Sequence, residues 1–177
     1  MTPRYIVIHC SDSLWGSAYD INKWHIERGF NDIGYHLVIM NGRITRKTMV
    51  PLLDGSIEVG RKFSSVGAHA YGYNSKSIGI CLIGVNKFTD TQLSNLKSMV
   101  RYLMGVYKIG IDNVIGHYEI SPDTRTCPNI DMDWLRNHIS TDEPVVTDDK
   151  ENKILDNNSG NIIQEIMSLI KRFITNK

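Results

Sequence analysis

The sequence predicts an α/β fold, in which helices pack against a mixed central β-sheet. Three apolar segments rich in β-branched residues, at positions 5–11, 34–40 and 77–84, are typical of buried strands. Two segments with the apolar spacing of amphipathic helices, at positions 20–28 and 89–104, alternate with these strands. This alternation along the chain indicates a layered domain.

The first predicted strand ends in a histidine and is followed by a helix. Residues 5–8 are apolar, and His9 stands at the carboxyl end of the strand. Cys10 falls on the opposite face, so we expect it to point into the core if His9 faces a site. Asp20 is expected to cap the helix, and Gly29 is expected to end it.

A hairpin and a long loop are predicted next. Tyr35 and His36 occupy opposite faces of the second strand, so at most one of them lines a given site. Asn41-Gly42 is a strong hairpin signal and predicts a turn that leads into residues 43–46. Residues 58–74 are rich in Gly, Ser and Tyr, and we expect them to form a long loop at a binding surface.

The second half of the domain contains a long helix and a short buried element. Thr89 and Gln92 have the spacing of a capping box and predict where the helix begins. Residues 114–115 are expected to form a short buried element that delivers His117 to the following loop.

The predicted domain comprises residues 1–140, and its last helix starts at Asp131 or Asp133. Residues 141–160 are acidic and contain no aromatic residue, which is typical of a linker. Residues 161–177 carry a broad apolar stripe at helical spacing and predict an amphipathic helix. A lone helix of this length is marginal in water, so packing on its own domain, self-association, docking on a protein partner and membrane-surface contact all remain open.

The composition excludes several classes of protein. A net charge of +1 over 177 residues argues against nucleic acid as a partner, because phosphate binding usually goes with a clear basic excess. No apolar run approaches the ~20 residues needed to cross a bilayer. The N-terminus leads into a strand without the layout of a secretory signal, so we expect a cytoplasmic location. Three cysteines are too few for a disulfide framework.

One loop, at residues 116–128, concentrates residues with metal-binding chemistry. It contains His117 and Cys127, and its two prolines exclude a continuous helix. Imidazole nitrogen and thiolate sulfur are both good zinc ligands, and His9 is the best candidate for a third. Two His and one Cys would leave one zinc position open, which is a catalytic arrangement suited to amide hydrolysis. The spacing alone leaves a second interpretation open, in which packed histidines and a buried thiol bind no metal.

Several segments, in this order, resemble one family. Together they are similar to the zinc-dependent N-acetylmuramoyl-L-alanine amidases that phage endolysins share with peptidoglycan-recognition proteins, over residues 4–139. The segments are Ile8-His9-Cys10-Ser11, Trp24-His25, Gly34-Tyr35-His36, Val66-Gly67-Ala68-His69-Ala70, Tyr73-Asn74, Ser77-Ile78-Gly79-Ile80-Cys81-Leu82-Ile83-Gly84, Gly116-His117 and Cys127-Pro128.

The resemblance implies Zn²⁺ as cofactor, with His9, His117 and Cys127 as its ligands. It also implies that Tyr35 lies beside the catalytic water. Arg125 stands two positions before the ligand cysteine, where the family's enzymes often have Lys. Its cation could stabilise the developing oxyanion, but it could not shuttle a proton because it stays protonated.

The same resemblance implies a substrate groove beside the metal. His69 matches a histidine of that groove, and we assign it to substrate binding together with Tyr73 and Asn74. His36 is assigned a structural role.

The function implied by the resemblance is hydrolysis of the amide bond between N-acetylmuramic acid and L-alanine in bacterial peptidoglycan. As in a phage endolysin, the enzyme would act on the cell wall after its release from the cytoplasm. Two alternatives use the same fold: a non-catalytic peptidoglycan-binding module, which in this family lacks the ligand cysteine, and a regulatory interaction protein. A metal-dependent nuclease is not expected, since such sites depend on carboxylates and a basic surface.

Overall fold

The computed structural model describes residues 1–121 and 126–141. The predicted linker at 141–160, apart from Thr141, and the predicted helix at 161–177 lie outside the described residues, as does Arg125. Within the described part of the chain, no helix is both long and apolar enough to span a membrane.

Within residues 1–121 and 126–141, five strands form one mixed sheet, which confirms the predicted α/β class. The strands are β1 (Tyr5–Cys10), β2 (Leu37–Arg43), β3 (Met49–Val59), β4 (Ser77–Leu82) and β5 (Val114–Gly116). They lie in the order β3-β2-β4-β1-β5. Among the neighbouring strands of this sheet, the β2–β3 pair is antiparallel, and the β2–β4, β4–β1 and β1–β5 pairs run parallel. β1 and β4 therefore form the buried centre of the sheet.

Helices cover both faces of the sheet. On one face, α2 (Asp90–Tyr107) and α3 (Met132–Ser140) close the larger core. On the other face, α1 (Ala18–Glu27) contributes Ile21 to a smaller cluster with Val38 and other apolar side chains. The larger core contains Ile6, Ile8, Leu37, Ile39, Ile78, Ile80, Leu82, Leu96, Met99, Leu103, Met132 and Leu135, each fully or almost fully buried.

The helix starts follow from local capping. The predicted capping box at the start of α2 is present: Thr89 Oγ1 accepts from Gln92 N, and Gln92 Oε1 accepts from Thr89 N. α1, in contrast, starts earlier than predicted, because Ser17 rather than Asp20 is its N-cap. Asp20 lies inside the first turn and accepts a hydrogen bond from the Ser17 hydroxyl at 2.7 Å. Asp131 caps α3, as one of the two predicted starts.

The predicted turn at Asn41-Gly42 is wrong. Both residues lie inside β2, where the pairing with β3 shifts register in an irregularity of the β-bulge type. Gly42 has φ of 76°, and this left-handed conformation serves a bulge as well as a turn. The chain reverses instead at residues 44–48, where Ile44 N donates to Thr48 O. β3 then extends to Val59, so the long loop begins two residues later than predicted.

The sheet brings two chain segments to one edge. β1 and β5 are parallel neighbours, with Ile8 paired to Gly116. Because parallel strands end at the same side of a sheet, His9 and His117 emerge close together at the carboxyl ends of these strands.

Candidate metal centre

His9, His117 and Cys127 come together at this sheet edge. Their candidate ligand atoms all lie within 4.8 Å of one another. The rings of His9 and His117 have their centroids 4.6 Å apart, and Nδ1 of His9 lies 3.8 Å from the Cys127 sulfur. The structure thus groups the three residues that the sequence predicted as ligands.

The distance between His9 and Cys127 is compatible with a tetrahedral metal ion. Zinc bonds of about 2.0–2.1 Å to nitrogen and about 2.3 Å to sulfur, at tetrahedral angles, place the two ligand atoms about 3.6 Å apart. The observed 3.8 Å between His9 Nδ1 and Cys127 Sγ needs only a small adjustment. Two imidazoles and one thiol are also a donor set that zinc prefers, with one coordination position left for a water or substrate.

His9 is buried in a neutral state that suits a metal ligand. Its side chain is 1% exposed. Burial, followed by the neighbouring His69 and His117 rings, lowers the pKa of His9 well below the ordinary value of 6.5. The ring therefore carries no proton on one nitrogen at neutral pH, and that nitrogen is available to a cation.

Cys127 is held against the ends of β1 and β5 by backbone hydrogen bonds. Tyr118 N donates to Cys127 O at 2.8 Å, which ties this residue to the turn that carries His117. Cys10 N donates to the Cys127 sulfur at 3.3 Å. Such an N–H donor stabilises a thiolate at this position.

Cys10 is buried among the core residues, as predicted, and it also contacts the candidate metal ligand Cys127. Its side chain is buried, and its thiol hydrogen-bonds with that of Cys127. This shared hydrogen bond raises the pKa of the Cys127 thiol above its ordinary value and lowers that of Cys10. A cation bound at the cluster would reverse the direction for Cys127, because coordination favours the thiolate. Strand alternation missed the contact because Cys127 passes over the end of β1 rather than across one of its faces.

A partly buried ion pair supports the turn that carries His117. Glu119 Oε2 accepts from Gly116 N at 2.7 Å. Arg136, from α3, donates to both Glu119 oxygens, at 3.1 and 3.0 Å, and also to Val114 O. The pairing is bidentate, so α3 fixes the turn in direction as well as position.

Tyr35 lies beside the cluster, immediately before β2. Its ring centroid is 5.0 Å from that of His9. Burial raises the pKa of its hydroxyl well above 10.0, and the adjacent Cys81 thiol, with which it hydrogen-bonds, raises it further. The phenol is therefore protonated at neutral pH. A side chain at Gly34 would place its Cβ 2.2 Å from Ala68 O, so only glycine allows this approach of the two loops.

The three residues predicted to bind substrate lie in the loop between β3 and β4. His69 Nδ1 is 3.1 Å from His9 Nε2, so it contacts a candidate ligand directly. Asn74 Oδ1 accepts from the backbone N–H groups of His69 and Ala70, at 2.7 and 2.8 Å. The Tyr73 ring packs edge-on against Tyr5.

The structure gives His36 a fully satisfied position away from the cluster. Its ring is 0% exposed, Nδ1 accepts from Gly79 N at 3.0 Å, and Nε2 faces Ser65 O at 3.3 Å. This arrangement agrees with the structural role predicted for it. His25 is similar, since its Nδ1 accepts from Gly34 N at 2.9 Å.

Comparison with known proteins places this cluster in a family context. The sequence model of a family described as N-acetylmuramoyl-L-alanine amidase matches residues 1–130. The endolysin of Escherichia phage T7 is 32% identical over 151 residues, which cover 78% of this chain and 89% of the endolysin.

Solved structures agree with this match. An N-acetylmuramoyl-L-alanine amidase from Clostridium intestinale has a TM-score of 0.66 and 27% identity, and the match covers 79% of this chain and 87% of that one. A tyrosine-to-phenylalanine mutant of Drosophila PGRP-LB in complex with tracheal cytotoxin has a TM-score of 0.58 and 26% identity, and the match covers 83% of this chain and 86% of that one.

Proposed function

The chain belongs to the N-acetylmuramoyl-L-alanine amidase family, and from that premise we propose that it cleaves peptidoglycan with a zinc ion held by His9, His117 and Cys127. The bond cleaved is the amide between N-acetylmuramic acid and L-alanine. The convergence of three ligand atoms within 4.8 Å carries the proposal. The ligand cysteine also favours an enzyme over a module that only binds the wall.

When bound, zinc supplies a nucleophile from water at neutral pH and polarises the scissile carbonyl. His9 and His117 would act as neutral ligands, and Cys127 as a thiolate stabilised by the N–H of Cys10. This ligand set carries one negative charge against the two positive charges of the ion. Two histidines and the Cys127 thiolate would therefore leave one positive charge at the centre, which would attract the negative charge of the nucleophile and of the oxyanion that forms from it.

Tyr35 would orient the reacting groups as a hydrogen-bond donor. Its ring contacts that of His9, and its raised pKa keeps the hydroxyl protonated throughout the neutral range. A phenol in this state can donate to the attacking water or to the carbonyl oxygen. We assign Arg125 to the same oxyanion as an electrostatic partner, because a guanidinium does not release its proton at neutral pH.

Replacement of the cysteine ligand tests the proposal. We expect Cys127→Ser to lose most of its bound zinc and most of its activity on purified peptidoglycan. Activity is measured as new free L-alanine amino groups, with new reducing sugar ends as the control for glycan cleavage. His138→Asn is the matched control, since His138 lies in α3 with Nδ1 2.8 Å from Trp134 O.

The outcomes separate the candidate functions. Amino groups that appear only with zinc, and without reducing ends, establish the amidase. A fully active, metal-free Cys127→Ser protein would refute the metal site. A wild-type protein that binds zinc and peptidoglycan but releases no amino groups would favour the non-catalytic module.

As in an endolysin, the site of action proposed for this protein is the cell wall, which it would reach after the inner membrane is breached. The predicted segment 161–177 is proposed as a separate helix that contacts its own domain, a second copy, a protein partner or a membrane surface. Light scattering on the full chain, compared with a chain ending at residue 140, measures whether that segment causes self-association. The protein that ends at residue 140 should retain amidase activity if residues 1–140 form the catalytic domain.

A further inference from the structure

The geometry points to His69 as a positioning residue, which holds the His9 ring in the tautomer and orientation that a metal ion requires. This inference rests on the proposed zinc site. It gives His69 a role different from the substrate binding predicted from the sequence, because the His69 imidazole contacts Nε2 of His9, whereas Nδ1 of His9 faces Cys127.

Four residues form a chain of polar contacts that leads away from the cluster. His9 uses its two nitrogens in opposite directions: Nδ1 faces the Cys127 sulfur, and Nε2 lies 3.1 Å from His69 Nδ1. His69 Nε2 lies 3.5 Å from Ser77 Oγ. Ser77 Oγ donates to Tyr73 O at 2.8 Å. The contacts thus connect a candidate ligand to the backbone.

The carbonyl oxygen of Tyr73, at the end of this series, determines which atom donates in each of its hydrogen bonds. A carbonyl oxygen can only accept, so the Ser77 proton points toward Tyr73 O and a lone pair remains for His69 Nε2–H. A neutral His69 with its proton on Nε2 presents a bare Nδ1, which accepts from His9 Nε2–H. His9 Nδ1 is then left without a proton and directs its lone pair toward the cluster.

If the hydrogen bonds ran in the opposite direction, His9 Nδ1 would carry a proton and could not bind a metal. That direction would require His69 Nδ1–H to donate to His9 Nε2, and a neutral His9 would then carry its proton on Nδ1, on the side of Cys127. Metal-binding histidines usually donate their second N–H to an acceptor, which fixes the tautomer and the ring orientation. His69 Nδ1 provides such an acceptor here.

The protein holds the His69 ring in place from several sides. A Cβ at Gly67 would come within 2.5 Å of the ring, and a Cβ at Gly79 within 2.6 Å. The ring therefore lies against two backbone segments that have no side chains. Asn74 Oδ1 accepts from the His69 backbone N–H at 2.7 Å. Such constraint suits a fixed partner of His9 better than a side chain that adapts to a substrate.

Two substitutions separate the acceptor from the bulk of the ring. His69→Asn retains an acceptor atom close to the position of Nδ1, whereas His69→Leu removes it. His138→Leu is the matched control, because it deletes an imidazole in α3 outside the cluster. Zinc dissociation constants are measured on the full chain by competition with a chromophoric chelator, and kcat and KM on peptidoglycan are measured at saturating zinc.

For His69→Leu we expect the zinc dissociation constant to increase roughly 10- to 100-fold, the usual effect of losing such a partner. The zinc dissociation constants of His69→Asn and His138→Leu should remain close to that of the wild type. At saturating zinc, the KM of His69→Leu should not increase, because His69 acts through His9 rather than on the substrate. An unchanged zinc affinity with an increased KM for His69→Leu would overturn the inference in favour of substrate binding. Equal losses in the Asn and Leu variants would also overturn it, since the acceptor would then be irrelevant.

A measurement on the wild-type zinc protein does not depend on the folding of either variant. NMR of ¹⁵N-labelled histidine rings should show a proton on His9 Nε2 and a scalar coupling through the hydrogen bond to His69 Nδ1. A His9 Nε2 without a proton would overturn the inference. Wild-type protein that neither binds zinc nor cleaves peptidoglycan would instead refute the proposed function, so the two failures are distinguishable.

Discussion

Burial of His36 makes the stability of the fold depend on pH. The ring is 0% exposed, and burial lowers its pKa from 6.5 to about 4. The unfolded chain therefore takes up a proton near 6.5, whereas the folded protein takes it up only near 4. Between these values protonation favours the unfolded state, so stability falls as the pH decreases. From about pH 7 to about pH 5, this one group lowers the free energy of unfolding by about 2 kcal/mol.

Urea denaturation at the two pH values, with a chelator present, measures this loss. His36→Asn is the comparison, because an amide oxygen can still accept from Gly79 N but does not titrate. Burial lowers the pKa values of His9, His25 and His69 as well, so these groups add to the loss of stability in both proteins. The wild type should therefore lose about 2 kcal/mol more than the variant between the two conditions.

Equal losses in the two proteins would refute this reasoning, because His36 would then bind its proton equally well in both states. The ring resonances of His36, followed by NMR in the folded protein from neutral pH downward, give its pKa directly. A value near 6.5 would contradict the effect of burial in the same way.

Other predictions concern the helix cap, a glycine contact and the metal. Thr89→Ala should cost about 1 kcal/mol in urea denaturation, through loss of the α2 capping box, without changing zinc content; a variant as stable as wild type would contradict the cap. Gly34→Ala should cost about 1–3 kcal/mol or prevent folding, since its Cβ would lie 2.2 Å from Ala68 O. Zinc at a thousandfold excess over its dissociation constant should stabilise the wild type by about 4 kcal/mol against thermal unfolding. Cys127→Ser should show no such response, and an equal response in both proteins would place the metal elsewhere.

The buried centre of the sheet could be predicted from sequence because its signal is local. β1 and β4 are covered on both faces, and continuous runs of β-branched residues mark such strands. β3 carries no such signal, since Leu52 and much of the strand are exposed. Because the sequence does not reveal this partner strand, Asn41-Gly42 predicts a turn. The pairing of β2 with β3, which a local pattern does not contain, makes it a bulge.

The candidate site also combines residues that a local sequence signal predicts with contacts between distant segments that no local signal predicts. His9 and His117 could be placed together because each follows an apolar segment that predicts a buried strand. The contact of His9 with His69 spans 60 residues, and it depends on the room left by Gly67 and Gly79. The space for the His69 ring arises only when the folded chain brings these two glycines against it, so a local sequence pattern does not reveal it. The pairing of Cys10 with Cys127 could not be predicted for the same reason, because it depends on the path of a loop across the end of β1.

Assembly of the cluster from distant segments couples metal binding to folding. His9 and Cys127 are separated by 118 residues, and they meet only when β1 is paired with β5 and Tyr118 N bonds to Cys127 O. The unfolded chain has no such arrangement, so zinc affinity belongs to the folded state and adds to its stability. A substitution far from the cluster, such as Thr89→Ala, therefore changes the fraction of protein that is folded but not the intrinsic zinc affinity of the folded form. His69→Leu should lower the intrinsic zinc affinity of the folded protein and leave the folded fraction largely unchanged. Comparison of the two variants therefore separates the stability of the fold from the zinc affinity of the site.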